Sequence, residues 1–111
     1  MKMTVKELIS LADFSEITVP DPERVITGAY AGDLLSWVMG RASADSAWIT
    51  IMSNVNVLAV ATLADVSCVI FAEGVCPDAE MISVAKEKGI NLISTELPIF
   101  EASVALGGAL R

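Results

Sequence analysis

Three clusters of small, hydrogen-bonding residues mark places where this chain could hold a ligand: Ser53-Asn54, Glu73-Gly74-Val75-Cys76 and Ser94-Thr95-Glu96. Each follows a short β-rich run and precedes a helical one. That is where helix starts offer free backbone N–H groups and where open parallel sheets gather ligands. Gly74 would let a backbone approach a bound group closely. An adenine nucleotide or a phosphorylated metabolite suits such an edge. The same residues also have an architectural use, Asn54 and Thr95 as helix caps and Gly74 as a turn glycine. Arg24 is the exception among the charges. It stands alone between the turn at 20–23 and the apolar Val25-Ile26-Thr27-Gly28, where a guanidinium clamps either a carboxylate such as Glu23 or Asp33, or a ligand phosphate.

Several chemistries are excluded by what is missing. The sequence has no histidine, which removes Ser-His-Asp and Cys-His catalysis, His-ligated zinc and imidazole switching. A phosphate-cradling loop needs G-x-x-x-x-G-K-[ST], and none of Lys2, Lys6, Arg24, Arg41, Lys86, Lys88 or Arg111 lies in one. No G-x-G-x-x-G follows a strand-like run, so a dinucleotide site is disfavoured. The carboxylate pairs Asp21/Glu23 and Asp78/Glu80 fall in turns or first helical turns, where acids stay solvated or favour a helix start. Cys68 and Cys76 match no metal or redox spacing and are expected as reduced thiols. No catalytic residue, metal or cofactor is therefore expected. Fourteen acidic against seven basic side chains, net charge -7, disfavour nucleic acid and anionic membranes as partners.

The elements that position these residues are readable from periodicity. Val5, Leu8 and Ile9 after Thr4, a good N-cap, give a helix to about residue 12. Residues 14–19 and 25–30 alternate with period two around Pro20-Asp21-Pro22, which suggests a hairpin or ribbon. Asp33 is placed to cap a helix whose face is Leu34, Leu35, Val38 and Met39, ended by Gly40. Residues 47–52, 67–71 and 90–93 then form three β-rich runs separated by helical segments, the pattern of βαβ units on a parallel sheet. Val57, Val60, Ala61 and Ala64 line the first linking helix. The second has Pro77 and acids at its start, Lys86 and Lys88 at its end and Gly89 beyond. The last, from Glu96 to about Leu106, turns Leu97, Phe100, Val104 and Ala105 inward and frays at Gly107-Gly108. The expectation is one α/β domain over 1–111, three-layer-like, with a short parallel βαβαβα sheet preceded by a helix and an extended ribbon.

Hydrophobic residues make up 54% of the chain and its mean hydropathy is +0.63. A folded monomer of 11.7 kDa leaves about 5,900 Å² exposed, so such a chain shows apolar patches, and a homodimer is the usual way to cover them. The longest uncharged stretch, 46–64, has Ser53, Asn54 and Asn56 in its middle and reads as strand, turn and helix rather than a membrane span. The first residues lack an apolar core of signal-peptide length, which makes the cytoplasm the expected location.

From Arg24 onward the chain resembles the DRTGG family, whose signature reads here Glu23-Arg24-Val25-Ile26-Thr27-Gly28-Ala29. The likeness continues over about 23–108 through Ala47-Trp48-Ile49-Thr50, Val69-Ile70-Phe71 before Gly74 and Pro77, Ala85-Lys86-Glu87-Lys88-Gly89-Ile90, and Ser94-Thr95 before Phe100. It departs at Glu23, Ala29 and Ile99. The resemblance implies a regulatory α/β module that is found beside CBS domains in some pyrophosphatases and within some phosphotransacetylases, where it contributes to subunit association. It also implies likeness to the non-catalytic N-terminal domain of HPr kinase/phosphorylase, without kinase activity here. The function expected is a non-enzymatic, homodimeric ligand-sensing module. Its candidate site is Arg24, Thr27, Gly28, Thr50, Ser53, Asn54, Gly74, Ser94 and Thr95, and its ligand a small anionic metabolite or nucleotide. The alternative is an interaction subunit that docks another protein.

Overall fold

A computed structural model describes residues 2–111; Met1 lies outside the described residues. The chain runs β1 (Met3–Thr4), α1 (Val5–Ile9), β2 (Ser15–Thr18), β3 (Val25–Ile26), β4 (Gly28–Ala31), α2 (Leu35–Arg41), β5 (Ser46–Thr50), α3 (Asn56–Ala64), β6 (Cys68–Phe71), α4 (Ala79–Lys88), β7 (Leu92–Ser94) and α5 (Ile99–Ala109). A five-stranded sheet has the order β2-β7-β6-β5-β4. β4 to β7 are parallel, and β2 closes one edge antiparallel to β7.

Sequential strand order with a helix between each parallel pair follows from right-handed crossovers repeated in one direction, which send every connecting helix to one face. Val38 of α2, Val57 and Ala61 of α3, and Met81 and Ala85 of α4 accordingly share one core with Trp48, Val69, Phe71 and Leu92. The chain then crosses the sheet after β7. Ala102 and Leu106 of α5 and Val5 and Leu8 of α1 form the other core with Ala47, Ile49, Cys68, Ile70 and Ile93. Covered on both faces, β5 is buried at all five positions, which explains its near-continuous apolar run. Three layers result, as the sequence implied.

Local signals that carry their own geometry behave as expected. Thr4 and Glu7 make a reciprocal capping box at the start of α1. Asp78 caps α4 through its bond from the Met81 N–H, and Gly89 ends that helix in the left-handed conformation.

Other expectations are corrected. Residues 14–19 and 25–30 do not pair with each other. β2 lies at one sheet edge against β7, whereas β3 pairs with β1 in a separate two-stranded ribbon and β4 forms the opposite edge. The cause is visible in the link between them: Asp21, between two prolines, is held by both its N–H and C=O to the side chain of Asn91, so the chain is carried past the sheet instead of turning back. α1 stops at Ile9 and α2 runs through Gly40 to Arg41. α5 continues through Gly107-Gly108 to Ala109 and turns Ala102 and Leu106, not Phe100 and Val104, toward the sheet.

Candidate functional site

The nine candidate residues separate into two groups at opposite ends of the sheet. Arg24, Thr27 and Gly28 lie where the parallel strands begin. Thr50, Ser53, Asn54, Gly74, Ser94 and Thr95 lie where they end.

At the amino end, Arg24 donates through Nε and Nη2 to Asp45 Oδ1 at 3.2 and 2.9 Å, and through Nη2 to Asp65 Oδ1 at 3.0 Å and the Asp65 carbonyl at 2.9 Å. Glu23 and Asp33, the partners expected from sequence, are not involved. Burial draws the guanidinium pKa down, but hydrogen bonds and charge from Asp45 and Asp65 outweigh this and hold it above the ordinary value. Thr27 donates its N–H to the Asp45 carbonyl at 2.9 Å, and Gly28 is opposite Ser46 in the first β4–β5 pair. Beside them Asn91 Nδ2 donates to the carbonyls of Asp21 at 2.8 Å and Ser67 at 3.0 Å, and its Oδ1 accepts the Asp21 N–H at 2.9 Å. Ser67 Oγ in turn donates to the Val25 carbonyl. This end is a lattice of satisfied bonds that fastens the ribbon segment to the strand starts.

Asn91 and the two aspartates were not singled out from sequence. The signal was present: Asp45 directly precedes β5, Asp65 ends α3 three residues before β6, and Asn91 is an amide inside the apolar Ile90–Leu92 stretch. Asp45 and Asp65 both take positive φ, 66° and 57°, a conformation that aspartate tolerates better than most side chains.

The carboxyl end is more open. Thr50 is an exception. Its hydroxyl is fully buried, donates to Asp33 Oδ1 at 2.7 Å and accepts the Met52 N–H at 3.1 Å. Asp33 also accepts the Ile51 N–H at 2.9 Å, so it fastens the end of β5 instead of capping α2, whose cap residue is Leu34. Thr95 is buried and accepts the Leu97 N–H at 3.2 Å. Gly74 has φ +72°, and a Cβ there would meet the Glu96 carboxylate at 3.0 Å; the close approach that calls for glycine is made by a side chain of this protein.

Ser53 and Asn54 are exposed. Asn54 Oδ1 accepts the Asn56 N–H at 2.9 Å, leaving its amide N–H groups to face outward. With Val55, Asp78, Glu80, Met81 and Val84 they line a cavity of about 290 Å³ between the starts of α3 and α4. Ser94 and Thr95 line a separate one of about 180 Å³ with Ala12, Asp13, Ser15 and Glu96. The strand-end clusters thus share an edge without sharing a cavity. Neither cavity has a lysine or arginine in its lining, whereas Arg24 and Lys88 both line a cavity at the amino end. Lys86, Lys88 and Arg41 sit in last helical turns that lead into the next strand. What the carboxyl edge offers a ligand is amide donors, carboxylate acceptors and an apolar wall of Val55, Met81 and Val84. Among the described residues, no group of His, Cys, Asp or Glu side chains is placed to hold a metal, and no helix is long and apolar enough to cross a membrane.

No family model and no curated protein matches the chain. Among solved structures it is similar to the CBS and DRTGG domain region of the regulatory region of a Clostridium perfringens pyrophosphatase, complexed there with its activator diadenosine tetraphosphate. The TM-score is 0.70 at 20% identity, over 90% of this chain and 43% of the other, so this chain spans less than half of that one. The likeness shows a shared α/β fold with a regulatory region.

Proposed function

We propose that this chain is a non-catalytic regulatory module of the DRTGG type, homodimeric and cytoplasmic, that senses an adenine nucleotide at the carboxyl edge of its sheet. The observation that supports this most directly is the cavity of about 290 Å³ lined by Ser53, Asn54 and Glu80. It lies where α/β sheets usually take ligands, in a fold also used by a regulatory region solved with a nucleotide activator. Its chemistry narrows the binding mode. The Asn54 amide can donate to a base edge, Met81 and Val84 provide an apolar wall, and the exposed carboxylate of Glu80 can accept from ribose hydroxyls. With no cation in the lining, phosphates would project outward toward solvent. Of the nine candidates, Ser53 and Asn54 carry this reading. Arg24, Thr27, Gly28 and Thr50 serve the fold.

The test is thermal unfolding with adenosine, AMP, ADP, ATP and diadenosine tetraphosphate. A true ligand at 100 times its Kd adds about 2.7 kcal/mol, which for a chain of this size raises Tm by several degrees. Asn54→Ala and Glu80→Ala should each remove most of that shift; Glu80→Ala should leave the unliganded Tm nearly unchanged, and Asn54→Ala should lower it by a few degrees through loss of the bond to the Asn56 N–H. If none of the five compounds moves the wild-type Tm, the nucleotide reading is wrong.

The alternative, an interaction subunit, draws on one observation. Leu34, Trp37 and Met39 are all exposed on or beside α2, with the Arg41 guanidinium stacked 3.6 Å over the Trp37 ring. A Trp37→Ala variant that no longer co-purifies with a host protein would favour it.

A further inference from the structure

α5 leaves a stripe outward that the monomer does not use. Phe100 is 73% exposed and Val104 59% exposed, although both are apolar. One turn beyond Val104 on the same face come Gly107 and Gly108, and a further turn on comes Arg111. Together with Ser103 these residues line a groove of about 440 Å³. The two glycines have no role in the chain's own fold. Neither has positive φ, and a Cβ at either would meet nothing within 4 Å. Glycine inside a helix is less stable than alanine, so within one copy both positions would be better filled by alanine. Glycine there makes physical sense where another backbone or a large side chain comes close.

We propose that α5 is the contact between two copies of this chain, packed antiparallel about a twofold axis near Val104, with Phe100 of each copy seated in the Gly107-Gly108 notch of the other. The proposal rests on the homodimer reading above and assigns its surface. Isologous contacts require a patch that complements itself, and this stripe does so. Phe100 and Gly108 lie four residues either side of Val104, about 6 Å along the helix axis, so an antiparallel pair sets each ring against a notch. Charge agrees. Glu101 is exposed in the first turn and Arg111 is exposed past the last, so antiparallel packing brings each Arg111 toward the acidic start of the other helix, whereas parallel packing would set like charges together. The opposed helix dipoles favour the same orientation. The accessible surface of one copy is 5734 Å², what scaling gives for a monomer of this mass, so folding alone does not hide the apolar surplus.

The experiment uses the full chain, with light scattering at tens of micromolar and thermal unfolding in parallel. Wild type should be a dimer. Phe100→Glu and Gly108→Leu should each weaken association at least tenfold while the isolated chain unfolds at an unchanged or, for Gly108→Leu, a higher temperature when dilute. In a Cys76→Ser background, Val104→Cys should cross-link into a covalent dimer on mild oxidation. A monomeric wild type overturns both the homodimer and its surface. A dimer that survives Phe100→Glu and Gly108→Leu and gives no cross-link through position 104 overturns the α5 assignment alone.

Discussion

At the amino ends of the strands, Arg24, Asn91 and Ser67 are each bonded to backbone or carboxylate groups far away in sequence. At the carboxyl ends, Ser53 and Asn54 are exposed beside a cavity, and side-chain bonds there are mostly local, as from Asn54 to the Asn56 N–H and from Thr95 to the Leu97 N–H, with Asp33 and Thr50 the longer-range pair. The difference lies in what each end has to join. The amino end fastens the ribbon and the 19–24 link, segments without helical bonds of their own, so its polar groups are consumed by backbone. The carboxyl end is made of loops that run directly into α2, α3, α4 and α5, so they need little fastening and side chains such as Ser53 and Asn54 are left over. The isolated arginine of the motif is thus engaged by carboxylates of its own chain, whereas Ser53 and Asn54 are left accessible to the ligand proposed above.

That contrast can be broken most decisively at Asn91. Asn91→Ala removes three bonds and leaves the Asp21 N–H and the Ser67 carbonyl without partners, while the Asp21 carbonyl keeps the Arg24 N–H at 3.3 Å; a cost of about 3 kcal/mol is expected, and calorimetry should show Tm lower by on the order of 10 °C. Asp33→Ala, at the other end, removes the acceptor for the Thr50 hydroxyl and the Ile51 N–H. Because Ile51 is exposed and water can replace the lost oxygen, about 1.5 kcal/mol is expected. Equal losses in the two variants would erase the distinction between a fastened end and an open one.

The two thiols sharpen it further, with no effect on stability at neutral pH. Cys68 at the amino end is fully buried, and desolvation pushes its pKa from 9.0 up to about 12, against a small opposing pull from Arg24. Cys76, just after the carboxyl end of β6, is exposed. A thiol reagent at pH 8 should modify Cys76 quickly and Cys68 only after unfolding. Because the folded state holds the Cys68 proton more tightly than the unfolded one, this stabilisation is complete below about pH 9 and lost progressively as pH rises toward 12. Denaturant titrations at pH 8 and 10.5 should show that loss in wild type and a smaller one in Cys68→Ala. Two fast thiols, or equal losses, would mean that the amino end opens readily.

Much of the fold could be read directly. The capping box at Thr4, the Asp78 and Gly89 ends of α4 and four of the five buried positions of α3 follow from local chemistry and helical spacing. The three-layer parallel arrangement follows from the order of the runs. The failures share a cause. The 14–19 and 25–30 runs alternate as a hairpin would, but partner choice is a long-range matter, and β7 and β1 offered ladders that the sequence does not display. Phe100 and Val104 were expected inward because an apolar residue in a helix normally marks the buried face. Ala102 and Leu106 took that place, because the sheet lies on their side of the helix.

The sequence by itself determined the three parallel runs with their linking helices, the helix ends at Thr4, Asp78 and Gly89, and the exclusion of histidine chemistry, because these are properties of composition and of neighbours in the chain. Only the tertiary structure decided that Arg24 belongs to Asp45 and Asp65, that Gly74 makes room for Glu96, and that the strand-end loops open into separate cavities. Those outcomes depend on which end of the sheet each loop reaches. That is set by sheet order and by the crossing of the chain after β7, and no local window of residues encodes it.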